Sequence, residues 1–442
     1  MTRLRTSVQA SLVTGFGVVI IFLYYLSLAT TSNILNLLGV LTLGLTSLLV
    51  IKSKGGWIFL LYAFGLTFAL ASGALIELTG AFLIEIRETA YLTGAAARNS
   101  LLATLFLVVS FVSYNFFLRL TPSRLPVINT AEPLATRALL AIAFAAPLYI
   151  ASVLITYGSP LLMGMDRFKY FTYIAPPGYK WLYGNIPLLG FVVALSAYKG
   201  VITHSTSFIW LMLTVVIYIM AGEKFSKLFL LGFFFLLPFF LIASQTIKTR
   251  HLALGVMTLI ILASLTIFNY VMISGSAEIF IPRLALQGQM NYALDLISGS
   301  PQPLPVILKH FIGHDAQEID RGLVHLMYLV APSDVVDLRI ESGATFTAPF
   351  PANISYFFGK HLAPLFIIFL SMVFGSLAAL LRKAISSLNI IFSGLVLKTF
   401  LLAYVAIMMG EAHLLIGSKG AIHFLAIATY LLIAKNFSRK HT

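Results

Sequence analysis

The chain has 442 residues, of which 59% are hydrophobic and 10% charged, with a formal net charge of +14 and no cysteine; its mean hydropathy is +0.96. Soluble domains carry roughly 25% charged residues, so this composition excludes a soluble globular protein. The lack of cysteine excludes disulfides and thiolate metal sites. No basic stretch is long enough to form a nucleic-acid-binding module, so the excess positive charge points to anionic lipid surfaces or anionic ligands.

The apolar runs have the length of membrane-spanning helices rather than of barrel strands. They predict an all-α polytopic membrane protein, one integral membrane domain over 1–442, with about twelve spans. Thr2–Thr6 is a short basic start, and the run after it has spanning length and no small-residue cleavage site, so it reads as a first span rather than a signal peptide. In chain order the spans fall at 12–29, 34–51, 57–76, 100–118, 138–157, 185–198, 206–221, 228–245, 252–273, 361–381, 388–409 and 420–435. Basic residues follow alternate spans: Lys52 and Lys54, Arg119 and Arg124, Lys199, Lys248 and Arg250, Arg382 and Lys383, and Lys435 with Arg439. The positive-inside rule then places both termini in the cytoplasm. Two outer loops result, a modest one at 158–184 and a large one at 274–360 with short interfacial helices. Arg167, Lys169, Lys180, Lys224, Arg283, Lys309, Arg321 and Arg339 fall on the outer face. Cations held there against the usual bias point to an anionic substrate handled on that side.

The first outer loop carries Arg167 and Lys169 among aromatics, and Gly178 follows Arg167 after ten intervening residues. Arginine offers a planar donor fork to phosphate or carboxylate; the aromatics fit either sugar stacking or the interfacial belt. The turn Gly222–Lys227 places Lys224 and Ser226 at the start of a helix, where free N–H groups can hold a phosphate or simply face water.

The large loop opens with Pro282 and Arg283, and its apolar pattern predicts an amphipathic interfacial helix in which Arg283 and Gln287 share a face. If the following stretch is helical, His310, His314, Glu318, Arg321 and His325 form one stripe, suited to acid–base chemistry, more weakly to metal binding, or simply to a wet, charged loop helix. His314 and Glu318 stand first as an acceptor base, with Arg321 beside them. Arg339 adds a further cation. Gly343–Gly359 is a shaped loop in which Asn353, Ser355 and Tyr356 are placed to meet sugar hydroxyls. Lys398 lies inside a span, where a charge is costly and marks a functional candidate.

This layout, the Arg167–Gly178 spacing, and the run Arg283 to Gln289 followed by the Gly343–Gly359 loop resemble the O-antigen polymerase (Wzy) family of bacterial inner-membrane proteins. The large loop departs from the family spacing, with Leu294 rather than glycine eleven residues after Arg283. The O-antigen ligases are similar in architecture but place histidine before the equivalent asparagine; here Ala352 precedes Asn353, which favours the polymerase.

The resemblance implies metal-independent glycan transfer without a cofactor, between undecaprenyl-diphosphate-linked oligosaccharides at the periplasmic face of the inner membrane. A chain-length-regulating co-polymerase is a further implied partner, beside the lipid bilayer, and nucleic acid is not expected. Arg283, His314, Glu318 and Arg321 take catalytic roles in this expectation. Arg167, Lys169, Gly178, Lys224, Gln287, Arg339, Asn353 and Tyr356 bind substrate. Two other classes compete. A flippase would need polar residues along many spans, and these spans hold little charge besides Lys398. A polyprenyl-phosphate-sugar transferase would need an acid in its first outer turn, which is only Thr30–Ser32.

Overall fold

The computed structural model describes residues 2–121, 132–165, 167–223, 226–242, 280–313 and 317–439; the side chains of 2–14, 280–283, 318 and 436–439 lie outside the description. The chain builds helices because a backbone in hydrocarbon must satisfy every N–H and C=O within its own segment. The first helices are α1 (Thr2–Ala29), α2 (Asn33–Lys52), α3 (Leu60–Thr79) and α4 (Ala95–Leu120). A two-residue hairpin, β1 (Phe82–Leu83) with β2 (Glu88–Thr89), joins α3 to α4. There follow α5 (Glu132–Tyr157), α6 (Arg167–Tyr173), α7 (Tyr179–Tyr198), α8 (His204–Met220) and α9 (Ser226–Ile242).

The segment expected to be the large loop holds α10 (Phe280–Ile297), α11 (Leu304–Ile312), α12 (Gly322–Val330), α13 (Ser333–Glu341) and α14 (Ala352–Phe358). The chain ends in α15 (Ala363–Ser386), α16 (Ile390–Met408), α17 (Ala412–Ile416) and α18 (Ser418–Arg439).

Among the described residues, seven helices are long and apolar enough to cross a membrane: α2, α3 with its preceding turn, α4, α5, α7, α15 and α16. Shorter apolar helices lie at Gly15–Ala29, His204–Met220 and Ser226–Ile242. The span expected at 252–273 lies outside the described residues.

Helix α4 is the hub, packing on α15, α2 and α1. Its small residues allow this: a Cβ at Gly39 of α2 would lie 3.1 Å from Ala97 Cα, and one at Gly375 of α15 would lie 2.7 Å from Ser113 Cβ. Without a hydrophobic force between helices in lipid, such backbone approach supplies the packing energy. A second group of helices, α5, α7, α8 and α9, packs around the α7–α9 contact.

The ends of the helices sort as the charge pattern groups them. At one end Arg382 donates to Tyr114 Oη at 2.7 Å, beside Gly55, and Lys199 pairs with Glu132 at the start of α5. At the other end Arg98 pairs with Asp295 and donates to the Ser27 carbonyl at 3.0 Å, while Lys360 lies 3.2 Å from Asp295. There too the buried Glu77 carboxylate accepts from the backbone N–H groups of Thr93, Gly94 and Ala96 and from Asn36 Nδ2, at 2.9–3.0 Å. This closes the N-terminus of α4, where a negative charge meets the helix dipole.

The expectation for α10 needs correction. It is not an interfacial helix with a wet polar side but a buried one, laid against α3. A Cβ at Gly288 would lie 2.7 Å from Gly73 Cα, so the approach requires glycine at 288. Its polar residues point inward and find partners there. Gln289 donates to Glu85, Asn291 Nδ2 donates to the Ala348 carbonyl at 3.0 Å, and Asp295 meets Arg98.

Candidate functional site

The two turns that the sequence singled out separately come together. Arg167 opens α6, and its guanidinium is ion-paired with Glu223, in the turn between α8 and α9. It also lies 4.8 Å from the Phe168 ring centroid. Glu223 is fully buried and accepts from Tyr183 Oη at 2.7 Å, Ser226 Oγ at 3.0 Å and the Lys227 N–H at 3.2 Å. Burial alone would raise its pKa, but Arg167, Tyr183 and the Lys227 N–H outweigh that and hold the carboxyl below its ordinary value. Lys227, in the first turn of α9, is within electrostatic reach of Glu223, Arg167 and Lys398. Lys398 is an exposed side chain midway along α16. Arg167 and Lys227 therefore stand close to one carboxylate, with Lys398 within electrostatic reach of Lys227.

The remaining predicted cations are more dispersed. Arg339 is ion-paired with Glu85, which also accepts from Gln289. Lys309 lies 3.9 Å from Asp320. These pairings neutralise part of the outer-face charge that the sequence alone suggests is free. Lys169 is exposed, and Gly178 is the exposed residue immediately before α7. Lys180 reaches the large loop, its Nζ 3.9 Å from where a Cβ on Gly343 would stand. The backbone of Arg283 lies in the first turn of α10, but its side chain is outside the description, as are Lys224 and the side chain of Glu318. Gln287 is half-buried, and its carbonyl accepts from Thr347 Oγ1 at 3.1 Å.

Asn353, Ser355 and Tyr356 do not face the surface. All three are buried in α14, so they support the loop rather than present themselves to a sugar. Asn353 accepts from the Ile354 N–H at 2.9 Å, and its Nδ2 lies 3.4 Å from where a Cβ on Gly410 would stand.

The expected 310–325 stripe is not one helix. Gly313, at φ 73°, takes a left-handed conformation and ends α11; such a turn is cheap for glycine alone. His314 lies outside the described residues. Glu318–Asp320 form one turn of 3₁₀ helix, and Arg321 precedes α12. Two members of the stripe still meet, because α11 and α12 fold back on one another: the His310 and His325 rings are 5.9 Å apart, with His310 packed 4.1 Å from Phe357. His310 is completely buried, with no well-formed hydrogen bond to either ring nitrogen. Burial, reinforced by His325 and His413, pushes its pKa down to about 3. His325 is lowered as well, chiefly by burial.

The third histidine comes from elsewhere in the chain. His413, in α17, contributes its Cβ 3.6 Å from where a Cβ on Gly313 would stand, next to Arg321. Its Nδ1 lies 3.4 Å from Glu411 Oε2, an ion-pair distance short of a well-aligned hydrogen bond. Glu411 in turn accepts from the Leu323 N–H at 3.0 Å, at the N-terminus of α12. Sequence reasoning passed over Glu411 and His413; the available signal was an acid and a histidine two apart in a short connection between spans. It also missed Glu223 as the partner of Arg167. Among the described residues no group of three histidine or carboxylate side chains is arranged to hold a metal ion.

Residues 316–424 match a family of unknown function (DUF6418). The matched segment runs from before α12 into α18, and so contains Arg321, His325, Glu411 and His413. No curated protein and no solved structure matches the chain.

Proposed function

We propose that this protein polymerises lipid-diphosphate-linked oligosaccharides on the outer face of a bacterial inner membrane, as a multi-pass glycosyltransferase. The observation that carries the reading is the cation cluster. Arg167 is ion-paired with Glu223, and Lys227 lies within electrostatic reach of both and of Lys398, in a chain rich in spanning helices. A lipid diphosphate is the leaving group in such a transfer, and fixed cations in a poorly solvated site stabilise the charge that develops on it. The donor glycan is passed to a hydroxyl of a second lipid-linked unit, so both lipids stay in the bilayer while their sugars meet above it. A metal is not required by this scheme. In this reading Arg283, expected on the outer face, joins the same set. An O-antigen ligase-type transfer, in which the glycan goes to a different lipid acceptor, would use the same cations.

Cells lacking this protein should accumulate single lipid-linked repeat units accessible from the outer face, and no long polymer. Arg167→Ala and Arg283→Ala should each abolish polymer while the protein still accumulates. Arg283→Lys should rescue poorly, because a point charge does not replace a bidentate fork. A flippase is the second reading, favoured by the exposed Lys398 midway along α16. In that case the accumulated units would remain on the cytoplasmic face, and Lys398→Ala would reproduce the accumulation.

A further inference from the structure

We propose that His413 is the base that takes the proton from the acceptor sugar hydroxyl, with Glu411 as its positioning residue. This rests on the glycan-transfer reading above. His413 lies on a five-residue helix that joins the ends of α16 and α18, and it keeps 16% of its side chain exposed. Its Nδ1 faces Glu411 Oε2 at 3.4 Å. That pairing favours a proton on Nδ1 and leaves the Nε2 lone pair for a substrate. The contact is long for a hydrogen bond, as such contacts often are before substrate binds.

The carboxylate is held from the other side. The Leu323 N–H donates to Glu411 Oε1 at 3.0 Å, at the positive end of α12. Gly322 makes room for it: a Cβ there would fall 2.6 Å from the Glu411 carboxyl carbon. The carboxylate is thus fixed by one helix and orients a histidine from another. The charged and titratable groups around His413 are Glu411 on its own connection, Arg321 before α12, Lys419 at the start of α18 and His310 from α11. Burial, then Arg321 and Lys419, lower the His413 pKa, so the ring is neutral and able to accept a proton near neutral pH. Arg321 next to it suits an anionic donor.

In the step itself, the acceptor oxygen bonds to the anomeric carbon of the donor glycan as the bond from that carbon to the diphosphate oxygen breaks. The electron pair leaves with the lipid diphosphate. The hydroxyl proton passes to His413 Nε2 and then to solvent, which returns the ring to its starting form.

The test uses the full chain in proteoliposomes and the lipid-linked oligosaccharide extracted from cells that lack it, with release of lipid diphosphate and polymer length as readouts. His413→Ala should lower kcat about 100-fold, leave KM little changed and remove the acidic limb of the rate profile. Added imidazole should restore part of the rate. Glu411→Gln should slow the reaction and move the acidic limb to lower pH, because losing the carboxylate disfavours the imidazolium. Arg321→Gln should move it to higher pH. If His413→Ala fails to accumulate, His413→Gln is read the same way. A His413 variant that accumulates and keeps the wild-type rate between about pH 5 and 9 overturns the assignment while leaving the polymerase reading intact. If the wild-type protein itself leaves the extracted lipid unchanged, the functional reading falls, and this assignment with it.

Discussion

The Arg167 guanidinium is ion-paired with Glu223, a carboxylate with no exposed surface. The pair joins the start of α6 to the turn before α9, and so fixes the 158–184 loop to the second helix group. Tyr183 ties the same carboxylate to α7. One acid therefore sets the relative position of three elements and of the cations grouped around it.

Breaking that pair from the acid side leaves a partly buried guanidinium uncompensated. Glu223→Gln should cost about 3 kcal/mol, read as a lower thermal unfolding midpoint in detergent. A second change, Arg167→Gln in the same chain, should recover part of the loss, because the two residues interact directly. The folded pKa of Glu223 is lowered, so its stabilisation is complete above the ordinary value of 4.5 and is lost as pH falls through the lower folded value. The difference between wild type and Glu223→Gln should therefore narrow only in acid below that range.

The contact between α10 and α3 depends on space. Gly288→Ala should destabilise the protein by about 1–3 kcal/mol, because the added methyl meets Gly73 backbone rather than a yielding side chain. Gly394→Ala is the control: no atom lies within 4 Å of a Cβ there, and alanine is the better helix former. Thermal shift of the two variants against wild type checks the contrast. Equal midpoints would contradict the close approach.

His310 makes the segment around α11 and α12 sensitive to acid. Its folded pKa of about 3 lies below the ordinary 6.5, so below pH 6.5 the unfolded chain binds a proton that the folded chain refuses. Stability should fall as pH drops from about 6.5 towards 3, with a limiting slope of about 1.4 kcal/mol per pH unit for this group. His310→Phe should flatten that dependence, since a phenyl ring occupies similar space against Phe357 and carries no proton. Amide exchange of α11 and α12 as a function of pH reads the effect directly.

The cysteine-free chain allows a clean map of sidedness. Ser300 and Ser333 are both exposed in the segment expected outside. Single cysteines at these positions should react with a membrane-impermeant maleimide added to the periplasmic side. Labelling that requires permeabilising the inner membrane would reverse the orientation.

Much of the architecture was legible along the chain. Long apolar runs must become helices in lipid, whatever packs beside them, and alternating basic turns sort their ends into two groups. Arg382, Tyr114 and Gly55 at one end, and Arg98, Asp295 and Lys360 at the other, lie as that sorting requires. The cations between the apolar runs were legible too. Their partners were not, because an ion pair such as Arg167–Glu223 or Arg339–Glu85 depends on which helices pack together. Hydropathy and spacing are local, and neither reports which distant acid will stand opposite a given arginine.

The same limit explains α10. Its polar residues fit a water-facing stripe when read alone, and only the Gly288–Gly73 approach turns them inward to Glu85, Ala348 and Arg98. It also explains the histidines. A stripe at helical spacing assumes an unbroken helix, and Gly313 breaks it. His310 and His325 come together through the fold-back of α11 on α12, and His413 joins them from a connection almost ninety residues further along, next to a Glu411 that the N-terminus of α12 holds in place. The sequence by itself determined the long apolar helices and where along the chain charge collects. Tertiary packing decided which of those charges are compensated, and which acid and histidine meet.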